Sequence, residues 1–393
     1  MAFPTAPIYF DYNATTPVHP QVLQTMWPWF SEDFGNASSR SHAWGWRAEQ
    51  AVKGARAEVR TLIGAQQGEL VFTSGATEAI NLAIKGLASS WREKKKHLIC
   101  WATEHKAVLD VCKALRRDGF ETTILPVLPS GLPDLQVYQT ALQADTLLVC
   151  GMLANNETGV LFPVQELAQL AHQNGSFFLC DATQAVGKIP VDVEALGVDM
   201  LALSAHKFYG PKGVGALWIA KRPGLKLQPL LHGGGHESNL RSGTLAVPIL
   251  VGMGKAAALM QAEMELKSKQ VRSLRDALEL GLLSALPEVR CLGAEAARLP
   301  NTSNLFFADC PASAVIKSLR KLAVATGSAC SSASASPSHV LLAMGLTTGE
   351  AACCLRFSLG WLSNQQEVEK AISLVSQAVE EVRASSPQWQ YRQ

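Results

Sequence analysis

The chain has 393 residues, room for about two or three folding units around a large core, which excludes a disordered or fibrous protein. Hydrophobic residues make up 48% and charged residues only 17%, below the roughly 25% usual in soluble proteins, so part of the surface is expected to lie against a second subunit. Lys and Arg number 35 against 33 Asp and Glu, a net charge of +2 that gives no bulk electrostatic case for direct nucleic-acid binding.

Nine cysteines are spread irregularly with no C-x-x-C pair, which argues against a structural zinc site and for thiols in a reducing compartment. Residues 1–10 carry neither a basic segment nor the apolar stretch of a signal peptide. No run approaches the ~18 to 20 apolar residues that cross a bilayer, so a cytoplasmic protein without membrane contact is expected.

In chain order, residues 70–73 read as a strand, and Ser74-Gly75-Ala76-Thr77-Glu78 then opens a periodic helix through Ile80, Leu82, Ala83, Ile84 and Leu87. A small-residue turn at a helix start presents free N–H groups and the positive end of the helix dipole, which suits a phosphate. Taken alone, an ordinary cap favoured by Glu78 is the commoner reading, since neither the Walker nor the Rossmann glycine pattern is present.

Short apolar runs at 98–101, 123–127, 146–152, 177–180, 200–203 and 215–219 read as buried strands. The segments between them, such as 107–117 and 164–174, have helical spacing and are long enough to cross over a sheet. The expected fold class is therefore α/β with a mostly parallel sheet. A long helix over 248–285 separates this unit from strand-like 304–307, 322–325 and 355–359 and from helix-like 312–319 and 365–383, read as a smaller α+β domain. The division expected is 15–260 for the large domain, and 1–14 with 261–393 for the small one. Residues 327–338 form a low-complexity run of small residues around Cys330, expected to be a mobile loop.

Candidate chemistry collects at the ends of the strand-like runs. Asp181 closes the run 177–180, and a carboxylate there needs a cationic partner, because burying it unpaired costs several kcal/mol. Lys207 lies 26 positions later, just past 200–203, where open α/β sheets place their ligands and where a desolvated amine can attack a carbonyl. A phosphate at the helix start, a cationic ring nitrogen at Asp181 and an aldehyde at Lys207 together describe pyridoxal phosphate.

His105 follows another apolar run and fits either a ring-stacking proton carrier or a helix cap. The segment 155–159 after 146–152 fits a bare turn or a ligand contact. Arg356, inside a strand-like segment, fits a carboxylate ligand or a structural salt bridge. His232-Gly233-Gly234-Gly235-His236 is not read as a metal site, because a glycine loop does not present both imidazoles together and no acidic or thiol partner lies at ligand spacing. Arg241-Ser242-Gly243-Thr244 is expected to reach a phosphate, across a subunit boundary in one arrangement.

With these residues in view, the chain closely resembles the cysteine desulfurases of the class V aminotransferase family, in the branch of nitrogen-fixation and iron–sulfur-assembly enzymes. The likeness runs from Tyr9-Phe10-Asp11-Tyr12-Asn13-Ala14 to Arg356-Phe357-Ser358-Leu359-Gly360, through the motifs at 34–36, 73–78, 103–108, 155–159, 181–184, 204–213, 232–237, 241–244 and 327–330. The resemblance implies a fold-type I pyridoxal-phosphate homodimer in which Lys207 anchors the cofactor, Asp181 pairs with the ring nitrogen, Gln184 meets the phenolic oxygen and His105 stacks on the ring. Ala76, Thr77, Ser204 and His206 would hold the phosphate, with Thr244 supplied by the other subunit. Asn156 would touch the cofactor and, with Arg356, orient L-cysteine. Cys330 matches the family's persulfide-forming cysteine.

The activity implied is conversion of L-cysteine to L-alanine, with the sulfur passed to an acceptor protein in iron–sulfur assembly, transfer-RNA thiolation, molybdenum-cofactor synthesis or DNA phosphorothioation. Two departures bear on that acceptor and site: Ala205 stands where Gly is frequent, and the sequence stops before the tail with which housekeeping members dock their scaffold. A selenocysteine lyase or small-substrate aminotransferase of the same fold is the first alternative, and Cys330 disfavours it. A non-catalytic adaptor is the second, and Lys207, Asp181, His105 and Cys330 disfavour that.

Overall fold

The computed structural model describes residues 7–326 and 337–390. Cys330 and most of the low-complexity run lie outside the described residues. The first strand, β1 (Ile8–Tyr9), is followed by β2 (Glu69–Thr73), β3 (His97–Trp101), β4 (Glu121–Leu125) and β5 (Thr146–Met152). Next come β6 (Phe177–Asp181), β7 (Met200–Ser204) and β8 (Gly215–Ile219), then β9 (Val289–Cys291), β10 (Thr302–Phe307), β11 (Leu322–Ala323) and β12 (Cys354–Ser358).

Seven strands form one sheet in the order β2-β8-β7-β6-β5-β3-β4. Strands β3 to β7 run parallel, and β8 pairs antiparallel with both β2 and β7. Strand alternation sends neighbouring side chains to opposite faces. Met200 and Ala202 of β7 enter the core built with the helices Ala76–Trp91 and Lys106–Leu115, while Leu201 and Leu203 enter the core built with Ala43–Leu62, Val164–Gln173 and the start of the long helix Val247–Ala285. Both faces being covered, β5 and β7 are buried along their whole length, as near-continuous apolar runs require.

Two strands differ from the expectation: the run at 322–325 is a strand only at Leu322–Ala323, and the edge strand is shifted. The run at 123–127 forms β4 two residues earlier, at the sheet edge, with Glu121 and Ile124 exposed. Pro126 has no N–H for the ladder and ends the strand, so the apolar residues after it contribute a loop.

The second unit holds the antiparallel sheet β12-β10-β9 and the parallel pair β1-β11. The long helix serves both units: Leu250, Met253 and Met260 pack into the first core, whereas Val271, Leu278 and Leu282 pack with β10, β12 and the helix Gln365–Ala384. What this fold positions is the carboxyl end of β5, β6 and β7, with β12 facing it from the second unit. Among the described residues, no helix is long and apolar enough to cross a membrane.

Candidate active site

Ala76, Thr77, His105, Asn156, Asp181, Gln184, Ser204, His206, Lys207 and Arg356 all line one cavity of about 500 Å³. Thr244 does not; it is exposed on its own chain. Arg241 is placed by an ion pair with Glu78 of the same chain (Nε–Oε1 2.9 Å), which ties it beside the first turn of Ala76–Trp91. His236 uses both ring nitrogens in the fold, accepting from the Gly243 N–H (3.3 Å) and meeting Ser38 Oγ (2.9 Å).

Each wall of the cavity follows from local structure. Asp181 is the last residue of β6, 8% exposed, and accepts from the Thr183 N–H (2.9 Å). Its strand neighbour β7 is parallel, in register Asp181 to Ala202, and leads through the 3-10 turn Ala205–Lys207 to the lysine. Lys207 Nζ donates to the carbonyls of Asn13 (2.6 Å) and Ala14 (2.8 Å). His105 Nδ1 caps the helix Lys106–Leu115 by accepting from Ala107 N–H (3.1 Å), and its ring lines the cavity. Arg356 likewise does two things. It is 2% exposed, pairs with Asp11 (Nη2–Oδ1 2.6 Å), donates to the Asn156 carbonyl (3.0 Å) and still borders the cavity.

Electrostatics divide the site. Burial, then the cations Lys207, Lys212 and Lys188, push the His206 imidazole down to about 4, so it is neutral at physiological pH. Its Nδ1 meets Thr15 Oγ1 at 3.1 Å. Full burial, with Asp181 nearby, drives the Glu104 carboxyl well above the usual carboxylate range, although it accepts from the Met152 N–H (2.8 Å). Burial also raises Glu157, which accepts from Ser338 Oγ (2.5 Å) and is moderated by Arg356, His339 and His105.

The residues present fit pyridoxal phosphate. At the Ala76–Trp91 start, the cap residue Gly75 (φ 157°) brings no side chain to the first-turn N–H groups, and a Cβ there would lie 3.8 Å from Ser204 Oγ. That leaves a side-chain-free cradle facing Ser204 and His206, suited to an anion. Asp181 and Lys207 line the same cavity, offering a carboxylate for a ring nitrogen and an amine for an aldehyde.

Asn13, Glu157 and His339 also line this cavity, with Glu104 and Lys188 buried beside it, and none of the five has a chemical role that the sequence alone indicates. Asn13, Glu104 and Glu157 lie in short polar segments whose burial depends on which elements cover them. Lys188 and His339 left no local signal at all. His339 Nε2 contacts the Glu104 carbonyl (3.0 Å), and Lys188 lies behind Lys207.

Comparison with known proteins agrees with this geometry. The model of the class-V aminotransferases matches residues 8–371. The cysteine desulfurase IscS of Anaeromyxobacter dehalogenans (strain 2CP-C) is 49% identical over 381 residues, 97% of this chain and 94% of that protein. Among solved structures, a NifS-like protein superposes with a TM-score of 0.88 at 35% identity, covering 95% of this chain and 100% of that one. SspA, solved in complex with cysteine, superposes with a TM-score of 0.80 at 38% identity over 90% of this chain and 99% of its own. The chain belongs to the class-V aminotransferase family and has its fold-type I architecture. Within that family it is a pyridoxal-phosphate-dependent cysteine desulfurase.

Proposed function

We propose that this chain releases L-alanine from L-cysteine and holds the sulfur as a persulfide on Cys330 for transfer to an acceptor protein. The observation that supports this most is that one cavity joins Lys207, Asp181 and His105 to the buried Arg356 guanidinium, with the chain on both sides of residues 327–336 fastened at its rim. Ala325 bridges Arg356 of β12, and Ser338 bonds Glu157 beside His339. Cys330 lies four positions beyond Thr326, a reach of at most about 14 Å.

Pyridoxal phosphate, when bound, supplies a carbonyl for an amine and an electron sink that acidifies the Cα–H bond of an amino acid joined to it. In this reading Asp181 would hold the ring nitrogen as a cation, with His105 against the ring and Gln184 toward its phenolic oxygen. Ala76, Thr77, Ser204 and His206 would hold the phosphate with Thr244 of a second subunit, in a homodimer. Asn156 would touch the cofactor and, with Arg356, fix the cysteine carboxylate. Lys207 would anchor the cofactor and serve as the base that takes the Cα proton and returns it. The Cys330 thiolate attacks the substrate sulfur: an S–S bond forms, the C–S bond breaks with its electron pair going to carbon, and carbon takes a proton. The balance is L-cysteine plus Cys330 thiol to L-alanine plus Cys330 persulfide. An ordinary thiol pKa of ~8.5 leaves a few per cent thiolate at neutral pH, so a proton acceptor such as His105 assists.

The same proposal assigns 15–260 to the large domain, and 1–14 with 261–393 to the small one. It places the protein in the cytoplasm, supported by eight free cysteines among the described residues, and its acceptor in iron–sulfur assembly, transfer-RNA thiolation or DNA phosphorothioation. The test is Cys330→Ser on the holoenzyme. Protein-bound persulfide should vanish while borohydride still traps the cofactor on Lys207; undiminished desulfuration would refute the role of Cys330.

A further inference from the structure

One ionisable group at the back of the cavity has no task in this scheme. Lys188 is 9% exposed, and its Nζ donates to two neutral acceptors, Gln184 Oε1 (2.5 Å) and Asn13 Oδ1 (3.2 Å). The charged groups acting on it, Lys207 and Arg356, are both cations, and among the described residues it forms no ion pair. A buried amine without a counter-ion is costly, and methionine of similar length would fill the space at less expense. Its presence therefore calls for something other than stability.

What the amine does is fix two amides. With Gln184 Oε1 turned to Lys188, Gln184 Nε2 donates to the Asn13 carbonyl (3.0 Å) and keeps a second N–H for an acceptor in the cavity. A flipped Gln184 would set N–H against N–H. Asn13, held through Oδ1 by Lys188 and Asn301, donates from Nδ2 to the Asn156 carbonyl (3.1 Å) and to Thr302 Oγ1 (2.8 Å). The Asn13 carbonyl that meets Gln184 is also the one that holds Lys207 Nζ at 2.6 Å. Behind this network, Lys188 and Lys207 border a second cavity of about 20 Å³.

We propose that Lys188 is a positioning residue of the reaction: its buried amine sets the orientation of the Gln184 and Asn13 amides and, through them, the place of the Lys207 amine. The inference rests on the assignment of Gln184 and Lys207 to the cofactor. A residue acting only through Gln184 and Asn13 leaves the substrate carboxylate at Arg356, so its loss reaches turnover and cofactor orientation before it reaches substrate affinity.

The test uses the purified holoenzyme with Lys188→Met, Lys188→Gln, Gln184→Ala and the Lys188→Met/Gln184→Ala double variant. Thermal unfolding, the visible circular dichroism of the bound cofactor, and kcat and KM for L-cysteine are read for each. Lys188→Met should unfold within about 3 °C of the parent. Its visible dichroism should change, with kcat down about tenfold and KM moved less than about twofold. Lys188→Gln, which keeps an N–H donor, should recover a large part of both signals. The double variant should lose less kcat than the two single losses combined, since Lys188 acts in part through Gln184. Parental dichroism and kcat in Lys188→Met overturn the inference, as do losses that add in the double variant. If Lys188→Met does not fold, Lys188→Gln combined with Gln184→Ala decides the same question, additive losses again being fatal. Gln184→Ala with parental dichroism and kcat overturns the assignment beneath it instead.

Discussion

Gly215→Ala puts the phosphate end of the site under direct test. Gly215 opens β8 and is in register with Thr73 of β2 on one side and Ser204 of β7 on the other. Its backbone has no positive φ, so alanine is acceptable in conformation and only space is at issue. A Cβ there would sit 2.5 Å from the Leu203 carbonyl oxygen and 2.7 Å from both C and Cα of Gly75. All three are main-chain atoms that cannot rotate aside. Leu203 is locked in the β7–β8 ladder, whereas Gly75 is held chiefly by the Thr73 hydroxyl, which donates to its carbonyl (2.9 Å). The turn is therefore the part that gives, and with it the first N–H groups of Ala76–Trp91. Overpacking of this kind costs about 1–3 kcal/mol; in the stability of the apoprotein, though not in cofactor binding, the ~0.4–1 kcal/mol that replacing glycine removes from the freedom of the unfolded chain offsets part of it. About 1–2 kcal/mol of that cost falling on the bound cofactor is a roughly fivefold to thirtyfold weaker Kd. Titration of the apoprotein with pyridoxal phosphate, followed by tryptophan fluorescence, measures it, with denaturant unfolding of the apoprotein alongside. A parental Kd would show that Gly75 does not form the phosphate cradle, or that β8 yields first.

Gly54 lies on the exposed face of Ala43–Leu62 with nothing within 4 Å of an added Cβ; Gly54→Ala should raise stability by about 0.5–1 kcal/mol, and an unmoved denaturant midpoint would contradict this. Arg356→Met should raise KM for L-cysteine at least about tenfold and lower stability by roughly 3 kcal/mol, because Asp11 loses its buried counter-ion. Adding Asp11→Asn should return part of the stability and none of the KM, a split that equilibrium unfolding and steady-state kinetics resolve. His206 titrates at about 4 in the folded protein and near ~6.5 when unfolded. Between those values the unfolded chain binds the extra proton, so stability is present above pH ~6.5 and lost as the pH falls toward 4. Apoprotein carrying His206→Gln should show a flatter loss over that window, and an identical pH profile would remove His206 as the cause.

Local chemistry was enough to place Asp181 and Lys207. Asp181 closes one short run of apolar residues and Lys207 follows another by a single 3-10 turn, and in a sheet covered on both faces such runs are strands whose carboxyl ends carry the polar groups. The turn at Ser74–Glu78 was legible for the same reason: small residues between a strand pattern and a helix pattern have few other uses. Position 126 shows the limit of that reasoning, since hydrophobic composition favoured a strand through Val127 and a missing N–H ended it at Leu125.

What pattern could not supply is contact between distant segments. Asn13 meets Lys188, Asn301 and Lys207 only because the second unit folds back beside the carboxyl ends of β6 and β7, bringing together residues 175 to 288 positions apart. Arg356 finds Asp11 by the same route, through β12 lying alongside the first residues of the chain. Periodicity records which side of a strand or helix is apolar. Whether a lysine on it ends in water, against a carboxylate or against two amides is settled by what packs there, and for Lys188 only the folded chain decided it.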